Sequence, residues 1–78
     1  MNSVSKRPRY RMPAFVRNAL LQHGLMKAYR RRPAYQQNDY VGWITRAKRK
    51  ETQEKRIAQM LNELERGDKY MNMVYRAQ

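Results

Sequence analysis

Two apolar stripes at helical spacing, joined by a short basic run, constrain the fold of this chain more than any other feature. Tyr40, Val41, Ile44 and Ala47 recur at i, i+1, i+4 and i+7, which places them on one face of a helix. Ile57, Met60, Leu61 and Leu64 form a second stripe, and Arg46-Ala47-Lys48-Arg49-Lys50 lies between the two. The pattern predicts two helices meeting at a basic corner, with their stripes facing each other. Trp43 stands beside the first stripe and reads as a packing anchor, because its ring offers a small core the largest single area. The expected core is therefore Tyr40, Trp43, Ile44, Ala47, Ile57, Leu61 and Leu64.

Punctuating residues extend the helical reading towards the N-terminus. Pro13 supplies a fixed φ suited to a helix start, and Phe15, Val16, Ala19 and Leu20 follow at helical spacing, with Gly24 placed as a left-handed stop. This predicts a helix over 14–22. Leu25, Met26, Ala28 and Tyr29 restart the pattern over 25–31, which ends before Pro33 because the residue preceding a proline disfavours helical geometry. Pro33 opens a third helix over 34–47. The fourth, over 51–66, begins with Glu51 near the positive end of the helix dipole and ends at Gly67. Gly42, inside the third helix, costs about 1 kcal/mol relative to alanine, so a neighbouring helix is expected to approach it closely.

The fold class is thus all-α, a bundle of about four helices over residues 13–67. Residues 1–12 carry four cations around Pro8 and no acid, and are expected to form a disordered basic arm. Residues 68–78 are expected to form an irregular tail. It holds Tyr70, Met71, Met73, Val74 and Tyr75, whose apolar area is better packed back onto the bundle than left in water, a homodimer contact being the alternative.

At 78 residues the chain forms one domain at most, with a thin core. It contains 18 Lys and Arg against 6 Asp and Glu, a formal charge of +12. All of that excess lies upstream of Glu51, where thirteen Lys or Arg face Asp39 alone. Such a balance attracts nucleic acid, an acidic protein or another polyanion. The candidate anion-facing residues are Arg7, Arg9, Arg11, Arg30, Arg31, Arg32, Arg46, Lys48, Arg49 and Lys50, provided that the arm and the two helix ends converge. Base-specific readout by helix, corner and helix is disfavoured, because Glu51 and Glu54 would face phosphates.

Catalysis is the weakest class. The chain has no cysteine and only one histidine, His23, so neither a metal centre nor a nucleophile–base pair can be assembled from the usual residues, and no cofactor is expected. Glu63 and Glu65 stand two apart on a predicted helix, hence on different faces. No apolar stretch is long enough to span a membrane or to serve as a signal peptide, and the sequence predicts a cytoplasmic protein.

Over Tyr40-Val41-x-Trp43-Ile44-x-x-Ala47-Lys48-x-x-Glu51-Thr52-x-x-Lys55-Arg56-Ile57, continuing to Leu64 and Gly67, the chain resembles the YdeI/OmdA family of bacterial proteins. The likeness is closest over residues 33–67 and extends back to Ala14. Gln53 stands where that family commonly has arginine, and Lys50 where it often has proline. The resemblance implies a small all-helical domain with no catalytic residues, and the family's name associates it with protection against bacteriocins and with an outer-membrane porin. Two functions therefore compete. One is a polyanion-binding module making largely sequence-independent contacts with nucleic acid. The other is an envelope-protection or protein-partner adaptor without nucleic-acid contact. A chain of +12 would not itself sequester cationic peptides, since like charges repel.

Overall fold

The computed structural model describes residues 9–76, in which four helices are followed by a β-hairpin. Helix α1 spans Ala14–Gln22, α2 Met26–Arg31, α3 Ala34–Arg46 and α4 Lys50–Arg66. The sequence reading of an all-α bundle holds, with helix boundaries displaced by at most one residue. Gly24 and Gly67 have φ of 66° and 81°, the left-handed geometry that lets α1 and α4 stop without a Cβ clash. Pro13 and Pro33 stand immediately before α1 and α3, where a missing N–H costs no helical hydrogen bond.

The core is built from Val16 and Leu20 of α1, Tyr29 of α2, Tyr40, Val41 and Ile44 of α3, and Met60 and Leu64 of α4. Ala47, just after α3, is also buried. Trp43, Ile57 and Leu61, expected in the core, are only half-buried and pack against its margin. For Trp43 the reason is its angular position one residue off the stripe. Its ring lies under the Arg56 guanidinium, 5.2 Å from the ring centroid, and Arg56 Nη1 donates to the Trp43 carbonyl at 2.5 Å.

Gly42 serves a different neighbour from the one expected. A Cβ built there would lie 2.5 Å from Cε2 of Tyr10, so the close approach is made by an aromatic ring from the N-terminal segment and not by a helix. Residues 9–12, assigned to the arm in the sequence reading, lie against the bundle. The Tyr10 N–H donates to Asn38 Oδ1 at 2.8 Å, and Tyr10 and Met12 pack on the core.

The tail is not irregular. Strands β1, Lys69–Tyr70, and β2, Met73–Val74, pair antiparallel with Tyr70 opposite Met73. The two residues between them, Met71 and Asn72, have φ of 50° and 65°, as a primed two-residue turn requires. Asparagine adopts this region readily, whereas for methionine it costs about 1–2 kcal/mol. Something outside the hairpin must hold it there.

Candidate functional site

That restraint is Glu63. Its Oε1 accepts the Met71 N–H at 2.8 Å and its Oε2 the Asn72 N–H at 2.8 Å, so one carboxylate cradles both residues of the turn. The same carboxylate takes the Tyr40 hydroxyl at 2.5 Å and Gln59 Nε2 at 3.1 Å. Glu63 is 2% exposed, and burial alone would raise its pKa; the hydrogen bonds from Tyr40, Asn72, Met71 and Gln59 together outweigh burial and hold it below the usual glutamate value. Tyr40 moves the other way. Burial first, and then its bond to Glu63, keep its hydroxyl protonated well above the ordinary phenol range.

Arg32 meets the backbone of the same residue. Its Nη2 donates to the Glu63 carbonyl at 3.0 Å, Nη1 donates to Gln36 Oε1 at 3.1 Å, and the guanidinium lies 4.7 Å from the centroid of the Tyr75 ring. The Glu63 carbonyl belongs to the last turn of α4, where the helix dipole favours a cation. Arg32 is 6% exposed, which removes it from the anion-facing set proposed from the sequence. The triple arginine is therefore divided: Arg30 and Arg31 face solvent, and Arg32 fastens the α2–α3 junction to α4 and the hairpin.

Of the other basic candidates, Arg7 lies outside the described residues. Arg9 borders a cleft of about 490 Å³ with Tyr29 and Asn38, close to the junction that carries Arg30 and Arg31. Arg11 is exposed. Arg46 is exposed and donates to Tyr10 Oη at 3.2 Å. Lys48, Arg49 and Lys50 are exposed at the corner, where the Gln53 side chain donates to the Ala47 carbonyl at 3.3 Å. The two exposed clusters lie at opposite ends of α3, and its 13 residues separate them by roughly 20 Å. They do not converge on one phosphate site.

What the fold does assemble is a groove between α3 and the hairpin, about 600 Å³ in volume. Tyr70 forms one wall. Its ring meets Tyr40 edge-on at 5.5 Å and Tyr35 at 6.1 Å, and its hydroxyl donates to Asp39 Oδ2 at 2.6 Å. Trp43 and Arg46 close the corner end, and Met73 and Val74 form the outer rim. The rim is strongly exposed for apolar residues: Tyr35 50%, Met73 58% and Val74 71%. Of these residues only Arg46 belongs to the binding set expected from the sequence, and the tail's apolar residues, expected to pack back onto the bundle, leave Met73 and Val74 exposed.

Residues 9–67 match the family model described as Bacteriocin-protection, YdeI or OmpD-Associated (OmdA). The chain belongs to the OmdA family. The matched region contains the arm's Tyr10 contact and all four helices, while the hairpin lies beyond it. No curated protein and no solved structure matches the chain. Within the described residues of this OmdA member, no helix is long and apolar enough to cross a membrane. No group of three or more His, Cys, Asp or Glu among them could hold a metal ion.

Proposed function

We propose that this chain is a protein-partner adaptor, which takes a partly acidic, partly apolar segment of another protein into the groove between α3 and the hairpin. The observation that carries the reading is the groove itself, lined by Trp43 and Tyr70 and rimmed by exposed Met73 and Val74. Aromatic and methionine side chains supply adaptable apolar contact, and Arg46 at one end offers a carboxylate partner. A net charge of +12 favours acidic partners over basic ones. The family's association with bacteriocin protection and OmpD is compatible with such a role.

We further propose that the module binds and does not catalyse. The shortest tyrosine–carboxylate contact, Tyr40 to Glu63, is sealed in the core, where Tyr40 is 0% exposed and no substrate reaches it. The carboxylate's oxygens are taken by backbone and side-chain donors, which is a structural use.

Affinity capture from the native lysate, with and without nuclease, tests the reading when wild type is run beside a Met73→Asp, Val74→Asp double variant. A captured protein should survive nuclease treatment and be lost with the variant, whose substitutions lie on exposed rim positions and leave the melting curve intact. Loss of capture on nuclease treatment would assign the contact to nucleic acid instead. Retention by the variant would exclude the groove.

A further inference from the structure

At the corner after α3, α1 and the start of α4 border a further open cleft of about 490 Å³ lined by Phe15, Lys48, Lys50, Gln53, Glu54 and Ile57. Its lining is apolar at the floor, from Phe15 and Ile57, and cationic at the rim. Phe15 is 42% exposed at the start of α1, although the buried residues of that helix are Val16 and Leu20. The ring thus lies beside the start of α4 and stays partly open to solvent. Lys48, Arg49 and Lys50 are all exposed beside it, and Glu54 is the sole acid in the lining.

We propose that this corner is a docking surface for an anionic lipid bilayer, with Phe15 entering the interfacial layer and Lys48, Arg49 and Lys50 lying against the headgroups. Charge complementarity selects the occupant. Three adjacent exposed cations, on a molecule carrying +12, meet a surface that concentrates negative charge in a plane. A partly exposed aromatic ring in one cleft with two lysines suits an interface that is apolar on one side and charged on the other, because lysine stems lie along apolar matter while their ammonium groups stay in water. A nucleic-acid duplex would use the cations but would draw little from Phe15. The surface is separate from the groove between α3 and the hairpin, so one can fail without the other.

Co-sedimentation of the full chain with vesicles tests the proposal. Vesicles containing phosphatidylglycerol in phosphatidylcholine should pellet the protein at low salt, and vesicles of phosphatidylcholine alone should not. Each cation near an anionic surface contributes about fivefold in affinity, so Lys48→Gln, Arg49→Gln and Lys50→Gln together should weaken binding on the order of a hundredfold. Phe15→Ser should weaken it roughly fivefold, as expected for withdrawing a partly exposed ring from an apolar layer. Both variants alter exposed positions, and an unchanged melting curve confirms that each is folded. The Met73→Asp, Val74→Asp variant should bind vesicles as wild type does. Equal binding by Phe15→Ser would reduce the surface to a general polyanion patch and overturn the proposal. So would failure to pellet with anionic vesicles at low salt, or equal pelleting with neutral ones.

Discussion

Glu63 joins four parts of the molecule through one side chain and one carbonyl: Tyr40 of α3, the Met71–Asn72 turn, Gln59 on its own helix, and Arg32 at the α2–α3 junction. A group so placed links pH to stability with a definite sign. The folded-state pKa of Glu63 lies below its unfolded value, so the folded protein binds the proton less readily than the unfolded chain does. The resulting stabilisation is fully present above the unfolded glutamate value, about 4.3, and is lost as pH falls through the lower folded value. Glu63→Gln keeps the shape but turns an acceptor pair into one acceptor and one donor, setting an NH₂ against an N–H. The expected cost is about 2–3 kcal/mol near neutral pH, read from urea midpoints, with a smaller loss of stability than wild type on acidification to pH 3. An unchanged midpoint would show that the turn does not depend on the carboxylate. A sequence signal for this residue did exist. Glu63 lies three residues after Met60 and beside Leu64, within the apolar stripe of α4, and an acid on a buried face requires partners.

Among the elements, the helices were legible because each carries its own period and its own stop, as Gly24 and Gly67 show. The hairpin was not, for physical reasons. Strands of two residues are too short to display alternation, and Met71-Asn72 lacks the glycine that usually marks a primed turn. Its geometry is imposed by the carboxylate of Glu63, eight and nine residues earlier in the chain. Burial of Arg32 was equally hidden, since the acceptor that ties it to α4 is a backbone carbonyl 31 residues away and nothing in the run Arg30-Arg31-Arg32 separates the third member from the others. The glycine in α3 was recognised as a site of close approach, yet the approaching group is Tyr10 of a segment without periodic pattern. Gly42→Ala should therefore act on the N-terminal segment more than on the bundle. The added methyl displaces the Tyr10 ring, while the gain in helix propensity, about 1 kcal/mol, offsets part of that loss. Trypsin should cleave after Arg9 and Arg11 faster in the variant than in wild type, with a melting temperature close to wild type. Unaltered cleavage would mean that Tyr10 accommodates the methyl without leaving α3.

For the molecule as a whole, the decisive relation is between charge and shape. Composition made a polyanion surface the leading expectation, but composition does not locate charges. The structure buries Arg32, engages Arg46 with Tyr10, and leaves the remaining exposed clusters at opposite ends of α3. The apolar residues after Gly67 follow the opposite course: Tyr70 and Met71 close onto the core, and Met73 and Val74 stay outside as a rim. The candidate site of the proposed adaptor is thus made by the hairpin, whose position depends on Glu63 and Arg32, and its partner is expected to be a protein. Site-specific photo-crosslinking tests this most directly. A benzophenone amino acid placed at Met73 should yield a protein adduct in the native cell that persists after nuclease treatment, while the same group at exposed Leu21 of α1 should not. Adducts of equal yield from both positions, or from Leu21 alone, would contradict a partner seated between α3 and the hairpin.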